Sequence, residues 1–594
     1  MVGDIYKIPH SGRLRGSDMR VFFSFFNTIR FPRVTGRRAL WGGAILALGV
    51  VFFCLYSFLA VHEVRSGAVR LNSPDETANY YFTRQVAREG RIGYEEPTLQ
   101  WSSNYVHPRS MTNVGDRVVP VGFLGLILLF GGIARVVGEH SILFITPFFA
   151  MLGALGFYYF LVSFFKPSVA RLSALLLLIH PAYWYFAARG MLSNVLFVDC
   201  VLIGLGLGAY ALRTREGRRR WVTYVLLVLS GVFLGYSLAV RLSEIIWLAV
   251  VILIIGLYCI RTLRFAKSGA WVGGFLCGLG ILFAGNYALY GNVLSSGYLS
   301  VNTDALGTIA QGVVHGGGVG VAVQQGWAWL APYKKFILPF GFNAKAIYEN
   351  FFAYGIAMFW WYTIPTVIGV MGCIAMSARS FLSKKNSSHF WYLLGTVVLS
   401  VWLVVFYGSW LFTDNLTGHT TIGNSYVRYW LPMFVACIPL VAMALEGVTR
   451  VAQRGFSRKG AVIVIVVMMG WLSWNTVMFG ADEGLVRVAG NLDTARAKLT
   501  LVTSLVPAEA VIVSPRSDKI FFPDRKVAQY VDGFREAELL APLLAHVPIY
   551  YYGFWQAKDM DYINRKYLAQ YGVRLVYLQE VSSGEHLMKL EYVQ

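Results

Sequence analysis

Between residues 39 and 480 the chain alternates long apolar runs with short polar breaks. The runs lie at about 39–61, 141–164, 172–188, 193–212, 221–240, 245–262, 270–290, 351–377, 390–412, 429–447 and 460–480. A helix needs about 20 mostly apolar residues to cross the hydrocarbon core of a bilayer. Within lipid, every backbone N–H and C=O must find its partner inside the segment. A chain built this way folds as an α-helical polytopic membrane protein. Its composition agrees: 56% of residues are hydrophobic and only 14% are charged, against roughly 25% charged in a soluble domain. The six cysteines all sit in apolar runs and none forms a C-x-x-C pair, so they read as small hydrophobes rather than zinc ligands or a disulfide framework.

The net charge of +21, from 52 Lys and Arg against 31 Asp and Glu, first marks cytoplasmic loops and only second an anionic substrate. Arg13, Arg15, Arg20, Arg30, Arg33, Arg37 and Arg38 precede the first run. That basic stretch is too long for the start of a signal peptide, and the run after it is long enough to span. It predicts a retained first helix with its N-terminus in the cytoplasm. The strongest internal clusters are Arg213–Arg220, Arg261/Arg264/Lys267, Arg379/Lys384/Lys385 and Arg450/Arg454/Arg458/Lys459. All four fall on the cytoplasmic side if the further apolar stretch 118–138 lies along the outer surface instead of crossing. Eleven crossings result, with the C-terminus outside.

This topology predicts a basic cytoplasmic tail, 1–37, and a transmembrane module, 38–480, with external loops 63–140 and 291–350. An extracytoplasmic domain follows at 481–594. The second loop is Gly-rich after His315, and Lys334 and Lys335 suit an interfacial helix. In the last segment, short β-rich runs at 510–514, 547–552, 574–580 and 587–593 alternate with helical patterns near 487–505, 535–545 and 558–570. That alternation predicts a small α/β domain. It shows no Gly-rich phosphate motif, and its plain reading is a docked structural or acceptor-guiding domain. The localisation expected is a multi-pass protein of the plasma membrane.

The most informative string follows the first helix: Leu71-Asn-Ser-Pro-Asp-Glu-Thr-Ala-Asn-Tyr-Tyr-Phe82. Ser73 suits a helix N-cap, Pro74 the first helical position and Glu76 the reciprocal capping site. Capping accounts for Glu76. Asp75 has no such duty, and it stands on a helix start close to the membrane surface. A carboxylate there is suited to take a proton from an acceptor hydroxyl, with Glu76 beside it to hold it or a cation.

An Asp-Glu pair just outside helix one, a loop with an apolar surface helix, and then a field of spans resemble the GT-C superfamily of integral-membrane glycosyltransferases. The layout is closest to protein O-mannosyltransferases and lipid A aminoarabinose transferases. Val106-His-Pro-Arg-Ser110 is similar to a His-Pro or Lys-Pro element of these families. His180-Pro-Ala-Tyr-Trp-Tyr-Phe-Ala-Ala-Arg189 with Leu192-Ser-Asn194 is similar to a segment that usually ends in Asp, where this chain has Asn194. Leu238-Ala-Val-Arg241 and Ser425-Tyr-Val-Arg-Tyr-Trp-Leu-Pro432 resemble an outer basic residue and a late Arg-Tyr-x-x-Pro signature. The resemblance implies a sugar donor on polyprenyl phosphate and a base role for Asp75, with Glu76 as its neighbour.

A lipid phosphate needs cations, and arginine holds two phosphate oxygens at once while staying charged. Arg428 and Arg241 are the preferred phosphate contacts, then Arg117, Arg109 and Arg189, all at predicted outer positions. Snorkelling to headgroups is the competing account of each. His107, Tyr80 and Asn194 are candidate substrate-lining residues, although a hydrogen-bonded structural histidine and an interfacial aromatic belt are the plainer readings. Asp199, inside a run, suits an interhelical hydrogen bond. No metal site is expected, because no second ligand stands at metal spacing from His107 or His419. No cofactor is firmly implied; a divalent metal is an open alternative without support in the residues.

The function expected is transfer of a sugar from a polyprenyl-phosphate donor to an acceptor hydroxyl on the outer face, with inversion. The acceptor is a lipid, glycan or protein, and nucleic acid plays no part. The alternative is a polytopic lipid or sugar transporter without catalysis. That reading calls for polar residues along a mid-membrane path and paired broken helices, neither of which is evident in the sequence. An oligosaccharide transferase would need a larger outer domain, and a scaffold would leave Asp75 and the outer arginines unexplained. A reporter fused after Gln594 is expected outside the cytoplasm; cytoplasmic reporter activity would overturn the topology.

Overall fold

The computed structural model describes residues 36–213, 220–262, 265–295, 297, 341–383, 388–412, 418–451 and 458–593. Arg13 to Arg33, the Gly-rich stretch after His315, Lys334 and Lys335 lie outside the described residues, as do positions 214–219, 264, 384–385 and 454 of the basic clusters.

Each of the eleven apolar runs coincides with helix. Among the described residues seven helices are long and apolar enough to cross a bilayer, or nine if each of two bent pairs is one span. Shorter apolar stretches at Leu242–Leu257 and Leu431–Gly447 accompany them. The bent pairs are Leu40–Tyr56 with Phe58–Arg65, at 45°, and Pro167–Leu178 with Pro181–Ala188, at 49°. Neither break was anticipated from the apolar pattern. Their causes are local. Ser57 Oγ donates back to the Phe53 carbonyl at 2.7 Å, a bond that competes with the helix ladder. Pro181 has no N–H to give, and His180 before it is extended at φ −67°, ψ 125°, as a residue preceding proline prefers. Both breaks fall before residue 190, not at corresponding places in two halves as an inverted-repeat transporter would have them.

The stretch 118–138 contributes a helix of 14 residues, Leu124–Val137, which packs on the helix Pro74–Glu89. Gly131 makes that approach possible, since a Cβ there would stand 2.5 Å from the Val86 side chain. In the same loop β1 (Tyr94–Glu95), β2 (Met111–Val114) and β3 (Arg117–Pro120) form an antiparallel sheet in the order β1-β3-β2. Inside the bundle, Tyr183 Oη donates to Asp199 Oδ1 at 2.6 Å, the interhelical bond expected of that aspartate.

The tail forms a five-stranded sheet from β4 (Val511–Ser514), β5 (Lys526–Gln529), β6 (Ile549–Gly553), β7 (Val573–Ser582) and β8 (Glu585–Tyr592), ordered β5-β4-β6-β8-β7. β4 pairs parallel with β5 and β6, while β8 pairs antiparallel with β6 and β7. Strand β5 was not anticipated, because Lys526–Gln529 is short and carries a charge and an amide.

The tail packs against the first loop. Phe82, Leu99, Met111 and Val118 of the first loop share a buried cluster with Val502, Ile512, Phe521 and Leu587 of the tail. The helix Leu485–Leu505 bridges the two regions: Leu485, Val488 and Leu492 pack in the bundle core, while Leu499 and Val502 pack under the sheet.

Glu536 is buried within the tail and accepts from the Val531 N–H at 3.0 Å and from Tyr551 Oη at 2.9 Å. Burial pushes its carboxyl up from 4.5 to about 7. A carboxyl raised on folding contributes stability below its unfolded value, and the contribution is lost as pH rises through the folded one. The thermal midpoint of the full chain is therefore expected to fall between pH 4.5 and about 7, and Glu536→Gln should remove that component. An unchanged pH profile in the variant would contradict this account.

Candidate active site

The helix Pro74–Glu89 begins as its sequence predicts. Ser73 Oγ accepts from the Glu76 N–H at 3.2 Å, and Glu76 Oε2 accepts from the Ser73 N–H at 3.0 Å. Glu76 is 2% exposed, and its carboxylate also takes Arg189, with Nε donating to Oε1 at 3.0 Å and Nη2 to Oε2. One carboxylate thus caps the helix and ties it to the end of Pro181–Ala188. The geometry is bidentate, the strong form of a charge-assisted bond.

Asp75, one residue earlier, points the other way. Its side chain is 49% exposed. Oδ1 accepts from Ser110 Oγ at 2.6 Å, and Oδ2 lies 3.4 Å from Arg428 Nη1. It faces a cavity of about 300 Å³ that is also lined by Asn79, His107, Arg109, Ser110, Asn194, Arg241, Arg428, Tyr429 and Gln529. Four stretches of sequence therefore meet here: the first loop, the start of Ser193–Ala211, the end of Arg220–Val240, and Ser425–Tyr429. Gln529, on β5, brings the tail into the same wall.

The arginines are differently occupied. Arg428 is held by Ser425 Oγ, which accepts from Nε at 3.1 Å and from Nη2 at 2.8 Å. Arg241 Nη2 donates to Glu244 Oε1 at 3.3 Å, and that oxygen also accepts from Tyr407 Oη at 2.7 Å. The guanidinium carbons of Arg241 and Arg428 each lie 5.0 Å from the centre of the Tyr429 ring, within cation–π range. Tyr429 in turn stacks on Tyr407 at 4.6 Å.

The other predicted residues go to different places. Arg189 is committed to Glu76 and lies outside the cavity lining. Arg109 lines the cavity, but its guanidinium turns to Asp518 of the tail, with Nε to Oδ1 at 2.9 Å and Nη2 to Oδ1 at 2.6 Å. Arg117 is the first residue of β3, 55% exposed, 3.9 Å from Glu95. Tyr80 is away from the cavity, with the Arg84 guanidinium 5.7 Å from its ring. His107 lines the cavity with Nδ1 3.0 Å from the Pro108 carbonyl. Asn194 Nδ2 donates to the Arg428 carbonyl at 3.2 Å, so the amide braces an arginine-bearing turn at the position where Asp was expected from the resemblance.

Ser110, Asn79, Glu244, Tyr429 and Gln529 were not singled out from sequence. Glu244, three residues after Arg241, offered the clearest signal, as a second charge in a short outer loop. Among the described residues no group of three or more His, Cys, Asp or Glu side chains forms a metal-binding set. Lys519, beside Asp518, donates to the Asn72 carbonyl. Burial, with the cations Arg109 and Arg189 nearby, draws its amine down from 10.5 to about 8.

A second, apolar cavity of about 510 Å³ is lined by Phe197, Val201, Trp247, Trp402, Pro432 and Val435 among others. Phe197 is three residues from Asn194, and Pro432 four residues from Arg428, both of which line the polar cavity. Trp247 Nε1 donates to Glu244 Oε2 at 2.7 Å, the carboxylate that also accepts from Arg241.

No family model matches the chain, and no curated protein matches it. Among solved structures it is similar to ArnT from Cupriavidus metallidurans bound to undecaprenyl phosphate, with a TM-score of 0.47 and 12% identity over 92% of this chain and 98% of that one. It is also similar to the oligosaccharyltransferase of Archaeoglobus fulgidus, in the apo form and in complex with Zn and sulfate. Each of these gives a TM-score of 0.44 and 11% identity over 88% of this chain and 70% of that one. Any role for Asp75, Arg241 or Arg428 rests on the geometry of this chain alone.

Removing one partner of a buried ion pair leaves the other charge uncompensated, at a cost of about 3–5 kcal/mol. Glu76→Met is therefore expected to lower stability by that order, and adding Arg189→Met should recover much of the loss. Thermal unfolding of the detergent-solubilised chain measures both; losses that simply add would contradict the pairing.

Proposed function

We propose that this chain is a membrane glycosyltransferase that moves a sugar from polyprenyl phosphate to an acceptor hydroxyl on the outer face, with inversion. The observation that carries the reading is the juxtaposition in one cavity of a half-exposed carboxylate and two arginines, with an apolar cavity among the neighbouring helices. A donor with an anionic head and a hydrocarbon tail has chemistry to match both spaces.

In this reading the donor phosphate lies against Arg241 and Arg428, and the first isoprene units occupy the apolar cavity. Asp75 takes the proton from the acceptor hydroxyl as that oxygen bonds to the anomeric carbon. The bond from the anomeric carbon to the phosphate oxygen breaks on the opposite side, and both its electrons leave with polyprenyl phosphate. The arginines stabilise the charge that gathers on the leaving phosphate. Ser110 holds Asp75 by a hydrogen bond to Oδ1. His107, Asn79 and Gln529 face the same space and are offered as contacts for sugar or acceptor.

General-base catalysis contributes about 10²–10⁴-fold, so Asp75→Asn is expected to lower transfer by that factor while expression is kept. Arg428→Ala and Arg241→Ala should weaken use of the donor. The measurement is mass spectrometry of surface lipids and glycoproteins from a strain lacking the chain and complemented with each variant. Full restoration of the missing sugar by Asp75→Asn would remove the mechanism.

A further inference from the structure

We infer that Asp518, in the tail, is a positioning residue for Asp75, acting through Arg109 and Ser110. The inference rests on the reading of Asp75 as the base.

Asp518 is 1% exposed, on a four-residue helix, Asp518–Phe521. Its Oδ2 accepts from the Arg109 backbone N–H at 2.8 Å, and its Oδ1 accepts from Arg109 Nε and Nη2 at 2.9 and 2.6 Å. Arg109 Nη2 also donates to the Arg516 carbonyl at 2.6 Å. Both the peptide and the guanidinium of Arg109 are therefore fixed by the tail. Ser110 follows directly, at φ +61°. A side chain in that left-handed region is disfavoured and persists where its surroundings hold it. Two bonds flank it: the Arg109 N–H to Asp518, and the Val121 N–H to the Ser110 carbonyl at 3.1 Å. In this conformation Ser110 Oγ reaches Asp75 Oδ1 at 2.6 Å.

The same short helix grips the other side of Asp75. Lys519 donates to the carbonyl of Asn72, the residue before the Ser73 cap. Asp518 and Lys519 thus hold the two strands of loop that converge on the base, one leading into its helix and one carrying its hydrogen-bond donor. Without Asp518, the Arg109–Ser110 segment is free to relax to an extended backbone, which turns the serine hydroxyl away from Asp75.

A double-mutant cycle tests this. The purified full-length chain is added to membranes of a strain lacking it, whose own lipid pool is the donor, and the initial rate of sugar incorporation is measured by mass spectrometry. Ser110→Ala and Asp518→Asn are each expected to slow transfer about tenfold, the scale of one hydrogen bond to a charged group. The double variant should be no slower than the slower single, because both changes remove one interaction. Multiplying losses, or Asp518→Asn at the wild-type rate, would overturn the positioning role. Hydrogen exchange provides a readout independent of turnover: Asp518→Asn should speed exchange of the Arg109 amide, with the sheet strands unchanged. A rise throughout 485–593 would overturn the proposal, since Asp518 would then be holding the domain rather than aiming Ser110. Asp75→Asn at the wild-type rate would instead remove the base reading itself.

Discussion

The ion pair between Glu76 and Arg189 organises everything near the cavity. Both side chains are out of water, at 3% and 5% exposure, and a charge so placed is costly unless it is paired and hydrogen-bonded. Glu76 meets that demand with Arg189 and with the backbone of its own helix cap. The helix Pro74–Glu89 can therefore start in only one orientation against the bundle. Successive residues of a first helical turn point about 100° apart, so fixing Glu76 inward leaves Asp75 turned into the cavity. Two adjacent carboxylates thus take unlike roles from one geometric constraint.

Charge in the cavity follows from what else each cation holds. Arg109 is compensated by Asp518, and Arg241 shares Glu244 with Tyr407 and Trp247. Arg428 is held by the neutral Ser425 hydroxyl and lies 3.4 Å from Asp75 Oδ2. The Tyr429 ring keeps both Arg241 and Arg428 within cation–π distance. A lipid phosphate entering here would meet two preorganised guanidiniums without having to gather them, which is the condition under which electrostatic stabilisation is most effective.

The membrane fold was legible because its signal is composition over about 20 residues, which tertiary context seldom overrides. Four of the five tail strands were legible from their short β-rich runs. The capping of Pro74–Glu89 could be read from Ser73, Pro74 and Glu76 alone. What escaped was the pairing of charged residues far apart in the chain. Arg189 lies 113 positions from Glu76, and Arg109 lies 409 from Asp518; no local pattern announces either pair. An outer arginine in sequence is simply a cation, and its partner decides whether it faces a ligand. The tail reads from sequence as a docked domain; the partners it docks through, Phe82 and Val118 sharing a core with Ile512 and Leu587, are likewise set by residues far apart in the chain.

The central claim is that a lipid phosphate sits between Arg241 and Arg428, facing Asp75. Electron cryomicroscopy of the full chain in lipid nanodiscs supplied with undecaprenyl phosphate tests it most directly. The account predicts phosphate density against those two guanidiniums, with the first isoprene units in the cavity lined by Phe197, Trp247 and Pro432. Phosphate bound elsewhere, or a lipid tail leaving by a path that avoids this cavity, would contradict it.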